Sequence, residues 1–209
     1  MKAIRGMHAR NSGFTLIEIA IVLVIIGLIL GGVLKGQEMI TNAKIKRVVN
    51  DFDGVAAAVF SYQDRYAALP GDDNRANARW TASGATNGTG NGVMAGAWNS
   101  TNNANETRLF WQHLRNSGLV PGETSGVGSF AQPFNAFGGI IGVEDTNYGI
   151  TGLVICMGGI DGANAEIIDR KIDDGVANTG NLQGNTAVTA ASGSASYAAA
   201  STYNLCRRL

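Results

Sequence analysis

The segment Gly13-Phe14-Thr15-Leu16-Ile17-Glu18-Ile19 joins a short basic leader to a long apolar run that holds one acid near its start. Residues 19–34 carry no charged side chain, and residues 1–13 contain no Asp or Glu but several cationic side chains: Lys2, Arg5, Arg10 and the titratable His8. A charge this close to a membrane-spanning helix costs on the order of a few kcal/mol unless it is paired or kept at the interface. We therefore interpret Glu18 as a functional residue.

The motif Gly13-Phe14-Thr15-Leu16-Ile17-Glu18 resembles the processing site of type IV prepilins and type II secretion pseudopilins. In those families a membrane-embedded peptidase, the prepilin peptidase, cuts after the glycine and N-methylates the new first residue. The resemblance implies cleavage between Gly13 and Phe14 and N-methylation of Phe14. It also implies that Glu18 pairs with the N-terminal amine of a neighbouring subunit during filament assembly.

Two other interpretations of this N-terminus remain open, an ordinary secretory signal and a plain membrane anchor. A secretory signal places its apolar region before the cleavage site and small residues at that site, which is not the arrangement around Gly13. A plain membrane anchor does not require Gly13, Phe14 or Glu18, so that interpretation does not explain why these residues are present. Both alternatives therefore account for less of the sequence than the prepilin interpretation does.

Residues 14–34 form the predicted transmembrane and assembly half of a long helix, since about 20 apolar residues span a hydrocarbon core. Basic residues flanking a span stay in the cytoplasm, so the leader, residues 1–13, is predicted to be cytoplasmic. The rest of the chain is then exported through the bacterial inner membrane. We expect a single-pass protein with a periplasmic head, which later becomes part of an extracellular pilus or a periplasmic pseudopilus.

The helix is predicted to continue past the membrane to about residue 67. Over residues 35–67 the apolar side chains recur every three or four positions, which is the pattern of an amphipathic helix. Pro70 ends it, because proline cannot continue a helix. The segment from Tyr66 to Asp72, Tyr-Ala-Ala-Leu-Pro-Gly-Asp, resembles the end of the long helix in one branch of bacterial pilin-like proteins. The resemblance implies a lollipop-shaped α+β protein with the long helix packed on an antiparallel sheet.

Residues 68–209 are predicted to form the globular α+β head. Turn-rich stretches separate its helical and strand-like segments. Asn105 is the expected N-cap of the first helix of the head, Glu106–Asn116, and Gly118 is expected to end that helix. The segments after about residue 175 read as a glycine- and serine-rich arm that leads to a final strand. The predicted elements are helices at Glu106–Asn116 and Ala163–Lys171 and strands at Phe137–Val143, Gly149–Met157 and about Tyr203–Arg207.

Cys156 and Cys206 are the two cysteines of the chain. An even number of cysteines in an exported protein favours a disulfide, which here would close a loop of about 50 residues. The pairing resembles the C-terminal disulfide loop of many type IV pilins. Two buried free thiols are the alternative.

Six aspartates form the acid-rich part of the chain, and carboxylate oxygens suit Ca²⁺. Some pseudopilins bind calcium near the C-terminus, which makes Asp169, Asp173 and Asp174 the candidate ligands by resemblance. Their spacing is not that of an EF-hand, and helix capping and turn formation explain residues 169–175 more simply. We therefore predict no required cofactor. The six residues are Asp72, Asp73, Asp161, Asp169, Asp173 and Asp174.

Two function classes follow: a filament subunit without an active site, and a membrane-anchored periplasmic enzyme or ligand-binding domain. The chain has two histidines, His8 in the leader and His113, and no recognisable catalytic motif, so we predict that it is not an enzyme. The charge is nearly balanced, which predicts no nucleic-acid partner except for a minor pilin of a DNA-uptake machine. The expected partners are the prepilin peptidase, other pilin-like subunits including copies of itself, and an inner-membrane assembly platform.

Overall fold

The computed structural model describes residues 15–209 and begins with one long helix. Helix α1 runs over Leu16–Tyr66, 51 residues without a break. The predicted long helix is thus confirmed over its described length, while Phe14 lies outside the described residues. The helix ends where Ala67 adopts a left-handed conformation, φ 49°, three residues before Pro70.

The chain divides into two compact units, Met1–Asn42 and Ala43–Leu209. The described part of the first unit is the beginning of α1. From Leu16 to Leu34 its apolar side chains are exposed on all sides of the helix. Such a helix, apolar all round, is suited to a membrane or to packing among other apolar helices. A Cβ atom added at Gly27, Gly31 or Gly32 would have no neighbouring atom within 4 Å, so these positions lie in open space.

The second unit contains the rest of α1 and the head. Between Ala43 and Tyr66 the helix buries one stripe, and its other faces carry most of the charges. The stripe packs against the sheet and the head helices in a single large core. This is the amphipathic pattern that the sequence predicts. The buried stripe consists of Ile45, Val48, Phe52, Val55, Ala58, Val59 and Tyr62.

Four antiparallel strands form the sheet: β1 Ile141–Asn147, β2 Ile150–Asp161, β3 Leu182–Asn185 and β4 Thr202–Arg208. Their order across the sheet is β1-β2-β4-β3. The long strand β2 pairs with β1 on one side and with the C-terminal strand β4 on the other. Residues Tyr148 and Gly149 join β1 to β2, both with positive φ, as a two-residue hairpin turn requires.

The sheet has two covered faces, and the disulfide lies on the second one. Residues such as Ile155 and Met157 face the main core with α1. Cys156 and Cys206 face the other way, together with Trp98 and Tyr148. The two cysteines are directly opposite each other in the β2–β4 pair and are joined at 2.05 Å. The bond ties the last strand to the central strand.

Three further helices complete the head. The short helix α2 spans Ala76–Arg79, α3 spans Glu106–Asn116, and α4 spans Gly162–Ile172. Single 3₁₀ turns lie at Thr81–Ser83 and Val127–Phe130. The predicted helix at Glu106–Asn116 is therefore correct, and the one at Ala163–Lys171 is one residue short at each end.

Two local expectations were wrong, and a third was correct only in its position. The first strand begins at Ile141 because Asn135 and Gly139 close a turn, in which the Asn135 N–H donates to the Gly139 carbonyl at 2.8 Å. The expected arm after residue 175 contains β3, which pairs with β4. Asn105 stands at the N-cap of α3, but its side chain makes no capping hydrogen bond and donates instead to Ser100 Oγ at 2.9 Å.

Phe52 and Phe60, two aromatic residues of α1, provide a test of this packing. Phe52 is fully buried, whereas Phe60 is 57% exposed. We expect Phe52→Ala to lower the free energy of unfolding by about 3–5 kcal/mol, because it leaves a cavity. Phe60→Ala should change it by no more than about 0.5 kcal/mol. Urea denaturation of the detergent-solubilised chain measures both, and equal effects would contradict the described burial.

Candidate functional site: the N-terminal helix and the polar clusters of the head

The described chain begins with a reciprocal cap at the start of α1. The Thr15 N–H and the Thr15 hydroxyl both donate to Glu18 Oε2 at 2.8 Å. In return, the Glu18 N–H donates to Thr15 Oγ1 at 3.3 Å. This is a capping box, which satisfies backbone groups that the first helical turn leaves without partners. One oxygen of Glu18 thus stabilises the helix start.

Glu18 is the charged residue of the apolar segment Leu16–Leu34. The helix that contains it is long and apolar enough to cross a membrane, and it is the one such helix between residues 15 and 209. Gly13 and Phe14, the predicted processing residues, lie outside the described residues.

A comparison with protein families identifies this N-terminal region. Residues 8–34 match the prokaryotic N-terminal methylation motif. The chain carries the type IV pilin and pseudopilin signature. No curated protein and no solved structure matches the chain.

The methylation motif covers both the predicted cleavage site and the exposed apolar half of α1. It ends at residue 34, before the second unit begins. The motif and the apolar helix together fit a membrane-anchored protein of the pilin-like class, which is generally structural.

The structure brings Asp169, Asp173 and Asp174 together, with carboxylate oxygens within 4.8 Å of one another. These oxygens already accept hydrogen bonds from the protein. Asp169 accepts from the Tyr197 hydroxyl at 2.7 Å and from the Gly175 N–H at 3.1 Å. These carboxylates thus stabilise the turn that links α4 to β3.

The other two aspartates of this cluster are used in the same way. Asp173 Oδ2 accepts from the N–H groups of Asn181 and Leu182. Asp174 accepts from the Val176 N–H at 2.8 Å and from the Thr179 hydroxyl at 2.5 Å. Hydrogen bonds lower the pKa of the exposed Asp174, whereas burial raises the pKa of Asp169.

The remaining three aspartates of the candidate set lie elsewhere. Asp161 is the N-cap of α4, where its Oδ1 accepts from the Asn164 N–H at 3.0 Å. Asp72 and Asp73 are buried in the connection between α1 and α3. The structure does not bring these three residues to Asp169.

Asp72 organises the glycine-rich loop at residues 88–92. Its Oδ1 accepts from the N–H groups of Gly90 and Asn91 at 2.6 and 3.0 Å. Its Oδ2 accepts from the Gly92 N–H at 2.7 Å. Glu106 holds the same loop from α3, where Oε1 accepts from the Thr89 N–H at 2.7 Å. The buried carboxylates thus satisfy loop N–H groups that strands would otherwise pair.

Asp73 and Tyr62 connect this loop to α1. The Tyr62 hydroxyl donates to Asp73 Oδ2 at 2.7 Å, and the Arg79 guanidinium forms an ion pair with the same oxygen. Burial raises the pKa of Asp73, but its hydrogen bonds with Tyr62 and Arg75 and the charge of Arg79 outweigh burial and leave the pKa lowered. The carboxylate is therefore held in its charged form.

His113 is a structural residue in the core of the head. The Gly71 N–H donates to Nδ1 at 2.9 Å, and Nε2 lies 2.7 Å from the Thr86 carbonyl. Because Nδ1 accepts, the neutral ring carries its proton on Nε2. Burial lowers the pKa of His113. The ring thus links α3 to two parts of the connection before it, Gly71 and Thr86.

Glu144 is a buried carboxyl group that sequence reasoning missed. It lies on β1 near the disulfide, and the Trp98 N–H donates to its Oε2 at 3.2 Å. Burial raises its pKa to about 7. The alternation of side chains along β1 would have indicated that Glu144 faces a covered side of the sheet only if the place of β1 in the sheet had been known.

The hydrogen bonds of His113 predict an acid-sensitive head. Protonation of Nδ1 would break the contact with the Gly71 N–H. Because the folded-state pKa lies below the unfolded value of about 6.5, the stability contribution of His113 is present above pH 6.5 and is lost as the pH falls below it. We expect the urea midpoint to fall between pH 7.5 and 5 more in the parent than in His113→Gln.

The glutamine variant keeps one acceptor and one donor but does not titrate. Glu144→Gln is the matched control, because a raised acidic pKa stabilises the fold towards low pH and therefore acts in the opposite direction. Identical pH profiles for the parent and His113→Gln would contradict the assignment of His113.

Proposed function

We propose that this protein is a structural subunit, a pilin or pseudopilin, of a type IV filament. The supporting observation is the methylation motif at residues 8–34, which includes the first part of α1. From Leu16 to Leu34 this helix is exposed on all sides, and its side chains are apolar apart from that of Glu18. In this proposal the prepilin peptidase cuts between Gly13 and Phe14 and N-methylates Phe14. The subunit then assembles through the N-terminal half of α1.

Glu18 provides the assembly contact in this proposal. In a bundle of apolar helices an unpaired carboxylate is costly, and so is an unpaired amine. Pairing Glu18 with the Phe14 amine of the next subunit neutralises both. The capping box occupies Glu18 Oε2 with two donors from Thr15, and Oε1 makes no hydrogen bond within the described residues. Oε1 is therefore the oxygen that we assign to the neighbouring amine.

The membrane orientation and the partners follow from the same proposal. The basic leader stays in the cytoplasm, and the head folds in the periplasm, where the disulfide is compatible with the oxidising environment. The partners are the prepilin peptidase, neighbouring pilin-like subunits and an inner-membrane assembly platform. A type IV pilus, a type II secretion system and a DNA-uptake machine all use this chemistry. In this proposal Asp169, Asp173 and Asp174 build a turn, and no cofactor is required.

The processing step can be tested directly. We expect the mature chain to begin with N-methyl-Phe14 when it is expressed with a prepilin peptidase. N-terminal sequencing and intact-mass measurement of the membrane fraction detect this. Gly13→Leu should block cleavage and leave the full precursor in the inner membrane, whereas a mature chain that begins after residue 34 would contradict the proposal.

The assembly step can be tested with two variants of Glu18. Glu18→Gln keeps an acceptor for Thr15, so the helix cap survives, but the charge is lost. Glu18→Ala removes both. We expect each to reduce sheared filament at least tenfold while cleavage at Gly13 continues, because an unpaired amine costs several kcal/mol and about 1.4 kcal/mol is a factor of ten. Immunoblots of filament and membrane fractions provide the two readouts.

Thr15→Val is the matched control for the cap. It removes the hydroxyl that bonds to Glu18 but leaves the carboxylate charge and the scissile bond unchanged. Filaments from Thr15→Val and Glu18→Gln in equal, normal amounts would show that the charge of Glu18 has no part in assembly. Loss in Thr15→Val alone would assign Glu18 to the cap.

A further inference from the structure

Glu144 and the disulfide lie together on the second covered face of the sheet. Glu144 Oε1 is 4.0 Å from Cys156 Sγ, and one carboxylate oxygen and both sulfur atoms lie within 4.8 Å of one another. Glu144 is only 5% exposed, and Cys156 and Cys206 are fully buried. The carboxyl group is thus placed against the sulfur atoms in a site that excludes water.

The two oxygens of Glu144 have different surroundings. Oε2 accepts from the Trp98 N–H at 3.2 Å, whereas Oε1 faces Cys156. A neutral glutamine could accept the same hydrogen bond, and burying it would cost less than burying a carboxylate. What the glutamate adds is the ability to bind and release a proton. Burial raises the pKa of Glu144 to about 7, so both forms are populated near neutral pH.

No cation pairs with Glu144 among residues 15–209. Arg208 lies on the same face of the sheet, but it is exposed, and Val154 of β2 stands between it and Glu144. The other cations of this region bind elsewhere: Arg207 pairs with Asp53, and Arg108 of α3 donates to Asn103 and Gln132.

Uncharged residues cover the disulfide and Glu144. The Val188 carbonyl accepts from Trp98 Nε1 at 3.1 Å, and the Ala187 carbonyl accepts from the Tyr148 hydroxyl at 2.5 Å. Burial raises the pKa of Tyr148, so its hydroxyl stays neutral. Before the disulfide forms, the cysteine thiols are therefore the groups in this site that can give a proton to Glu144.

The contact between Glu144 and Cys156 belongs to a single hairpin. Gly142 of β1 is directly opposite Cys156 of β2, and Glu144 follows two residues later on the same face. Cys206 comes from the other side of β2 and is 50 residues further along the chain. Local hairpins form faster than pairings between distant segments. Glu144 is therefore beside the Cys156 thiol when β4 arrives.

We propose that Glu144 is the proton acceptor for closure of the disulfide during folding. Cys206, on the strand that is not yet paired, first reacts with an external disulfide R–S–S–R, becomes Cys206–S–S–R and releases one R–SH. When β4 pairs with β2, the Cys156 thiol gives its proton to Glu144 Oε1 and its sulfur bonds to the Cys206 sulfur. The bond from Cys206 to R–S breaks, and R–S⁻ takes the proton back from Glu144.

This sequence oxidises two cysteines, reduces one external disulfide to two R–SH and leaves Glu144 as it began. The external disulfide is that of a thiol oxidase or of oxidised glutathione. A thiol attacks as the thiolate, and apolar surroundings raise its pKa, so a buried Cys156 needs a base within reach. The step serves any exported form of the chain, whether or not that chain builds filaments.

Ring closure of the reduced full chain measures the step. The chain is reduced in urea, diluted into detergent with oxidised glutathione and EDTA, and quenched with acid at intervals. Mass spectrometry separates the reduced chain, the glutathione adduct and the closed disulfide. At pH 7.5 the adduct of Glu144→Gln should close at least tenfold more slowly than that of the parent, because a positioned base contributes a factor of about 10²–10⁴. Formation of the adduct should be unchanged.

The pH profile separates proton transfer from a purely structural role of Glu144. In the parent, closure should become faster with rising pH and level off above about 7, where Glu144 is ionised. In Glu144→Gln it should keep rising about tenfold per pH unit towards the thiol pKa of about 8.5. Glu144→Asp keeps a carboxylate and should restore the levelling. Profiles of one shape in the parent and Glu144→Gln, even at different absolute rates, would overturn the proposal.

Asp145→Asn is the matched control. It removes a negative charge from the next residue of β1, whose side chain points to the opposite face of the sheet, and it should close at the parent rate. The parent alone still decides the matter if Glu144→Gln does not fold. A parent closure rate that climbs through pH 8.5 without levelling near 7 would show that the solvent, and not Glu144, takes the proton.

Discussion

Burial of one stripe of α1 is the constraint on which the head depends. A four-stranded sheet with one exposed apolar face would be poorly stable alone, and α1 covers that face with residues from Ile45 to Tyr62. Towards the N-terminus the same helix has no such stripe and exposes apolar side chains all round. The helix is continuous, but its apolar pattern changes along its length. The part from Ile45 to Tyr62 packs within its own chain, whereas the apolar part from Leu16 to Leu34 must be covered by something outside it.

The long connection between α1 and α3 is held by charge rather than by regular structure. Residues 67–105 contain only one short helix and one 3₁₀ turn, yet Asp72 and Asp73 within them are almost fully buried. Their carboxylates, with Glu106 and the ring of His113, hold loop N–H groups as a strand partner would.

Much of the fold could be predicted because its signals are local. The spacing of apolar residues fixed α1, and the pattern from Glu106 to Asn116 fixed α3. β3 was missed because Leu182-Gln183-Gly184-Asn185 has no strand-like composition and is a strand only through its pairing with β4. The hydrogen bonds from Gly90 and Gly92 to Asp72 join residues 18 and 20 positions apart, so no local pattern in the sequence predicts them.

The position of β4 has a consequence for how the sheet is completed. The strand order places Thr202–Arg208 between β2 and β3 and not at an edge of the sheet. Although β3 precedes β4 in the chain, its only partner among the described strands is β4. The short strand β3 can therefore join the sheet only after β4 has paired with β2, so the outermost strand on that side is added last.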